Sequence, residues 1–118
     1  MIPPMSSPNI LWFSTDRQRA DTLRAAGNPW VRTPHLDALA AQGLLCEEAY
    51  CQSPICSPSR AGFLTGRYPR TTRVTSNGRA IPGTEKLISR QLADHGYYCG
   101  HIGKMHLSPG DPRITQGC

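Results

Sequence analysis

The stretch Cys56-Ser-Pro-Ser-Arg-Ala-Gly-Phe-Leu-Thr-Gly-Arg67 predicts a short helix that opens beside a cysteine. Ser57-Pro58 pairs a capping residue type with a proline suited to the first helical position, so we expect a helix over residues 58–64. Cys56 would then lie just before a helix N-terminus, where free backbone N–H groups favour anions. Arg60 follows four residues later and can return to the same side of the helix to bind the same anion.

Strand-like and helix-like patterns alternate on both sides of this helix. Compact apolar runs predict strands over residues 9–15, 44–50 and 97–103. The pair Thr33-Pro34 predicts a helix that ends at Gly43, and Thr84 and Glu85 begin another that ends at Gly96. This alternation predicts an α/β fold with a mainly parallel sheet flanked by helices, incomplete in this chain. Sites in such sheets lie at the carboxyl ends of strands, where Asp16 and Lys104 fall.

The charge of the chain indicates an anionic partner. Its 118 residues carry 13 Lys+Arg against 8 Asp+Glu, for a formal net charge of +5. Arginine forks suit sulfate, phosphate and nucleic-acid oxygens. Between Glu48 and Glu85 there is no acidic residue, whereas five arginines lie there: Arg60, Arg67, Arg70, Arg73 and Arg79.

The apolar and cysteine patterns bear on where the protein works. Even the longest apolar runs, such as Ile10–Phe13, are far shorter than the roughly 20 residues of a membrane-spanning helix. The opening residues resemble no secretory signal, so we predict a cytoplasmic protein, or a periplasmic or secreted one if the natural start lies upstream. An odd set of five cysteines then favours free thiols, metal ligands or one reactive cysteine over disulfides.

Residues 56–67 resemble the sulfatase signature, C-x-P-S-R followed by L-T-G-R. In that family a maturation enzyme reads this segment and oxidises the cysteine, here Cys56, to formylglycine. One hydroxyl of the hydrated aldehyde attacks sulfur, and the second later loses its proton and expels sulfate. The resemblance therefore implies hydrolysis of small-molecule or glycan sulfate esters by covalent catalysis. Neither a nucleic acid nor a membrane is expected as a partner.

The resemblance extends to both sides of the signature. Asn9 to Asp16 is similar to the family's opening strand, so Asp16, together with the modified Cys56, would bind a divalent cation, Ca²⁺ before Mg²⁺. Arg17 departs from the pattern, because the family usually has Asp, Gln or Asn there. Gly103-Lys104-Met-His106 resembles the family's G-K-x-H segment. It implies that Lys104 and His106, with Arg60, are catalytic and bind the substrate. Because residues i and i+2 of an extended segment point the same way, the side chains of Lys104 and His106 can both enter one site.

These matches predict the organisation of the chain. We expect a disordered leader at 1–8, the N-terminal part of a sulfatase catalytic domain at 9–109 and a truncated loop-like end at 110–118. The segment Thr33 to Gly43 is similar to a family helix of structural role. Since the family's later metal ligands are not recognisable after His106, we expect this chain by itself to be inactive.

Three other readings of the same residues remain open. A sister branch of the superfamily hydrolyses phosphonate monoesters and phosphodiesters with the same modified cysteine, and Lys104 with His106 favours the sulfatases over it. A nucleic-acid-binding module would use the arginine-rich stretch. A zinc module would use ligands of loose spacing, namely Cys46, Cys51, Cys56, His95, Cys99 and His101.

Overall fold

A computed structural model describes residues 7–107. A 3-10 turn at Ala20–Thr22 is followed by four α-helices: α1 Pro34–Gln42, α2 Cys56–Thr65, α3 Pro69–Thr72 and α4 Ile88–Asp94. The chain divides into two compact units, one ending at Glu48 and one beginning at Ala49. Most of the predicted leader and all of the predicted loop-like end lie outside the described residues.

The predicted strands are absent from the described part of the chain, and this corrects the expected parallel sheet. The segments at 9–15, 44–50 and 97–103 form no β-ladder there. Leu11 and Leu44 are 89% and 88% exposed, and Ile102 is fully exposed. A strand of a parallel sheet needs a hydrogen-bonded neighbour and cover on both faces. The described residues supply these three segments with neither a paired strand nor cover on their faces. The compact apolar runs predicted burial, but burial needs these partners.

The unit up to Glu48 contains α1, whose predicted bounds are confirmed. Thr33 is the N-cap residue of α1, but its side chain makes no capping hydrogen bond to a backbone N–H of the helix. Its hydroxyl donates to Asp37 Oδ1 at 2.9 Å and accepts the backbone N–H of Arg24 at 3.0 Å. Asp37 Oδ1 also accepts the N–H of Ala25 at 3.0 Å. The two side chains thus tie the preceding turn to α1 in a unit where no residue from 7 to 48 is buried.

The unit from Ala49 contains the hydrophobic core. α2 contacts both α3 and α4. Leu64 and Met105 pack partly buried against the core. Only one of the buried apolar residues is helical, so the core also fixes the loops that follow α2. The buried set is Ala61, Val74, Ile81, Leu87 and Leu107.

Two helix starts differ from the predicted ones. α2 begins at Cys56, with the Ser59 N–H donating to Ile55 O at 3.0 Å, so Cys56 is the first helical residue and not the one before the helix. α2 ends as expected, at Gly66, in the left-handed conformation that glycine adopts readily. α4 begins at Ile88 and not at Thr84, because Glu85 closes a turn onto Pro82 O at 2.9 Å.

An ion-pair cluster around α4 gives a pH prediction. Asp94 binds Lys86 Nζ at 2.6 Å and Arg90 Nε at 2.9 Å. The hydrogen bond from Lys86, then the charges of Lys86 and Arg90, lower the pKa of Asp94 from its ordinary value. Its contribution to stability is therefore present above that ordinary value and is lost as the pH falls through the lower folded value. Lys86→Met should raise the Asp94 titration midpoint measured by NMR.

Arg79→Met is the matched control for that titration, since it removes an exposed cation elsewhere in the same unit. It should leave the Asp94 midpoint in place. An equal shift in both variants would assign the lowered pKa to net charge and not to the Lys86 hydrogen bond.

Candidate active site

Cys56 and Arg60 share one side of α2. Both are half-buried. The buried face of the helix is formed by Ser57, Pro58, Ala61 and Gly62. Residues four apart are neighbours on a helix surface. The folded chain therefore carries the cysteine and the arginine together at the border of the buried face.

Arg60 also joins α2 to the Gly103-Lys-Met-His106 segment. Its Nη1 donates to the backbone oxygen of Lys104 at 2.5 Å, across 44 residues of sequence. A charged donor makes such a bond shorter and stronger than a neutral one. The structure thus brings two of the predicted site residues, Arg60 and Lys104, into direct contact.

The segment around Lys104 is anchored to the hydrophobic core by every second residue, Met105 and Leu107. Leu107 is buried and Met105 packs against the core, whereas Lys104 and His106 are exposed. The N–H of Ile81 donates to Leu107 O at 3.1 Å. The expected alternation is therefore present in the burial, but the backbone is not extended throughout. His106 has φ of +53°, a left-handed conformation that histidine tolerates better than most residues.

Asp16 belongs to the other unit and is exposed, at a bend that it forms with Arg17. Arg17 has φ of +62°, which is uncommon for a long side chain. Residues 7–107 contain no group of three or more His, Cys, Asp or Glu that could hold a metal ion. The cysteines and histidines of the zinc reading therefore form no such group among the described residues.

The cysteines of the described chain are free thiols, one of the alternatives that the sequence left open: Cys46, Cys51, Cys56 and Cys99. Two of these thiols donate to backbone oxygens. Cys51 Sγ reaches Ser53 O at 3.1 Å, and Cys99 Sγ reaches Ser89 O at 3.4 Å. Cys56 differs from both in standing at the first position of a helix.

Comparison with known proteins identifies the family. The Sulfatase family model matches residues 8–114. The chain belongs to the sulfatase family. It is 40% identical to the ulvan-active sulfatase of Formosa agariphila over 86% of this chain and 20% of that protein. It is 37% identical to the steryl-sulfatase of Mus musculus over 98% of this chain and 20% of that protein.

A solved structure agrees with this membership. yidJ of Bacteroides fragilis, described as a sulfatase, superposes with a TM-score of 0.75 and 37% identity. The match covers 82% of this chain and 23% of that one. At this identity the likeness supports the family, while the described residues of this chain form helices and no strands. The chain spans about a fifth of the length of the curated relatives it matches.

Glu85 is a residue of this sulfatase-family chain whose role the sequence did not indicate. Both of its carboxylate oxygens accept bonds from Arg67 Nη1, at 3.1 and 3.0 Å. The Glu85 side chain is only 8% exposed, whereas that of Arg67 is 53% exposed. The last residue of the sulfatase-like signature is therefore held by a nearly buried carboxylate from the turn before α4.

Asn77 is the second residue that sequence reasoning missed. Its Oδ1 accepts the backbone N–H of Ser57 at 3.0 Å. The pair Asn77-Gly78 is typical of a turn, and a turn pair does not indicate a distant partner. The sequence offered no signal for this role, because it placed Ser57 at the cap, and only the observed start of α2 makes Ile55, which has no side-chain acceptor, the residue before the helix.

Proposed function

We propose that this chain supplies the nucleophile segment of an enzyme that hydrolyses sulfate esters, with formylglycine derived from Cys56. The observation that carries the proposal is the position of Cys56 as the first residue of α2, inside a segment matched by the Sulfatase family model. The helix dipole and the backbone N–H groups favour negative charge at that position. A sulfate ester presents such charge.

The substrate class is proposed only as a sulfate ester. The relatives include an ulvan-active sulfatase, a steryl-sulfatase and an N-acetylgalactosamine-6-sulfatase of Sus scrofa. Their names cover a polysaccharide, a sterol and a sugar, which share the ester and little else. Small-molecule and glycan sulfate esters therefore both stay within the proposal.

The reaction divides into a displacement at sulfur and an elimination at residue 56. One hydroxyl of the hydrated aldehyde loses its proton and attacks sulfur, the bond from sulfur to the alcohol oxygen breaks, and that oxygen takes up a proton and leaves as the alcohol. The second hydroxyl then gives up its proton, the carbon–oxygen bond to the sulfate breaks, sulfate leaves, and the aldehyde that forms adds water to restore the hydrate. Covalent catalysis of this kind replaces one difficult step by two easier ones.

Arg60, Lys104 and His106 are proposed to act on the sulfate during these steps. The guanidinium of Arg60 has five N–H donors, so its bond to Lys104 O does not exhaust its capacity to bind an anion. That same bond holds the backbone of Lys104 close to α2. The exposed lysine and histidine side chains can then donate to sulfate oxygens as negative charge develops.

A divalent cation bound by Asp16 and residue 56 is part of the proposal, with Ca²⁺ preferred over Mg²⁺. Carboxylate oxygens are suitable ligands for either ion. Residues 7–107 do not form a complete ligand set.

The experiment is coexpression with a formylglycine-generating enzyme, the proposed maturation partner. The tryptic peptide of residues 33–60 is then sequenced by mass spectrometry, which separates the three cysteines that it contains. We expect the thiol of Cys56 to be replaced by an aldehyde, and Cys56→Ala to abolish the change. Cys51→Ser is the matched control and should leave conversion intact.

A Cys56 that stays a thiol in the presence of the active maturation enzyme would contradict the mechanism. The converted chain is then assayed with an aryl sulfate and added Ca²⁺. We propose that the chain by itself shows no turnover, because its described residues lack a complete metal site. Robust hydrolysis would overturn the expected inactivity of the chain, but it would not affect the conclusion about conversion of Cys56.

A further inference from the structure

The first turn of α2 has no local side-chain cap. Its N-cap residue is Ile55, which has no side-chain acceptor. Pro58 has no N–H, and the N–H of Ser59 is satisfied by Ile55 O at 3.0 Å. The first-turn donors that still need acceptors are therefore those of Cys56 and Ser57.

Asn77 supplies the acceptor for one of them from 20 residues away. Its Oδ1 lies 3.0 Å from the backbone nitrogen of Ser57. Ser57 is only 2% exposed. Since water has little access to this N–H, the amide oxygen of Asn77 cannot simply be replaced by solvent.

The turn that carries Asn77 is anchored in the same core as α2. Val74 precedes the turn and Ile81 follows it, and both are buried in one cluster with Ala61 of α2. Gly78 has φ of +82°, a conformation that glycine adopts without strain. The core thus fixes the helix and the acceptor of its first turn relative to each other.

We propose that Asn77 is a positioning residue for the nucleophile. By accepting a hydrogen bond from the N–H of Ser57, Asn77 keeps the first turn of α2 closed. The closed turn in turn sets the position of the adjacent residue, Cys56. The inference rests on the proposed function only in treating Cys56 as the precursor of the nucleophile. The hydrogen bond and its effect on Cys56 can be tested without catalysis. Asn77 lies outside the 56–67 signature, so its role is not that of a maturation signal.

The test uses the unconverted 118-residue chain. Amide hydrogen exchange of Ser57 reports the cap, and alkylation of Cys56 by iodoacetamide at neutral pH, resolved by mass spectrometry, reports the position of the thiol. Cys51 and Cys99 in the same molecule are the reference thiols. Asn77→Ala should speed both readouts about fivefold, the factor for losing a typical side-chain cap, with the reference thiols unchanged.

Asn77→Asp keeps an acceptor oxygen and adds a negative charge. It should preserve the protection of the Ser57 amide and leave alkylation of Cys56 relative to Cys99 unchanged, because the retained acceptor keeps the first turn of α2 closed. This variant carries the test if Asn77→Ala does not fold. Unchanged protection in Asn77→Ala, or lost protection in Asn77→Asp, would overturn the proposal.

Thr65→Val is the matched control at the other end of α2. It removes the bond from Thr65 Oγ1 to Ala61 O, which is 2.6 Å long. It should leave alkylation of Cys56 relative to Cys99 unchanged. An increase equal to that of Asn77→Ala would show that Asn77 acts only through the overall stability of the fold, and would overturn its positioning role. None of these readouts needs formylglycine, so a failure of conversion and a failure of this inference are distinguishable.

Discussion

Replacing Leu107 by alanine is expected to lower the free energy of unfolding by about 2–5 kcal/mol, the range for large-to-small changes in a packed core. Leu107 is 1% exposed and is one of five buried apolar residues in the described core. A core this small has few other contacts to close the resulting cavity. Denaturant unfolding followed by circular dichroism measures the change.

The loss should extend to the proposed site. Leu107 O accepts the N–H of Ile81, and Leu107 follows directly on His106. Amide exchange of residues 103–107 should therefore speed up in Leu107→Ala even below the unfolding transition. Ile102→Ala is the control in the same segment, since Ile102 is fully exposed. It should stay within about 0.5 kcal/mol of the parent chain, and an equal loss in both variants would contradict a packing role for Leu107.

Local signals predicted the bounds of one helix and the presence of another. The pair Thr33-Pro34 and the following Gly43 predicted α1 within its observed bounds. The pair Ser57-Pro58 predicted a helix over residues 58–64, and the observed α2 contains that range but begins two residues earlier. The bounds of α1 depend on residues close in sequence, whereas the first turn of α2 takes an acceptor from Asn77, 20 residues away.

The predicted strands show where local signals stop. An apolar run such as residues 97–103 indicates that a segment tends to be buried, but not against which neighbour. Tyr98 and Ile102 are fully exposed, and no described strand lies beside them. A β-ladder depends on partners distant in sequence, whereas the hydrogen bonds of a helix are internal to it.

The sequence predicted a list of candidate site residues, which stays a prediction, but none of the contacts that the structure shows between them. The signature motif gave Cys56 and Arg60, and the G-K-x-H resemblance gave Lys104 and His106. The bond from Arg60 to Lys104 O and the cap from Asn77 join segments 44 and 20 residues apart. No spacing rule in the sequence encodes such pairs, because they depend on how the core packs.

Arg67→Ala is expected to lower the free energy of unfolding by about 1–3 kcal/mol. The change leaves the Glu85 carboxylate, 8% exposed, without its two hydrogen bonds from Arg67. Breaking a fully buried pair costs about 3–5 kcal/mol, and the partial exposure of Arg67 reduces that value through solvent screening. Glu85→Ala should cost less, because the stranded arginine can turn into water. The double variant should be less destabilised than the sum of the two single ones.

The same two substitutions separate folding from maturation. Arg67 closes the signature that the maturation enzyme is proposed to read, whereas Glu85 lies 18 residues beyond it. Arg67→Ala should therefore reduce conversion of Cys56 to formylglycine, and Glu85→Ala should destabilise the fold with conversion unchanged. Arg70→Ala, an exposed arginine just outside the signature, should change neither quantity. Equal losses of conversion in Arg67→Ala and Glu85→Ala would show that maturation depends on the Arg67–Glu85 pair and not on the sequence of the segment.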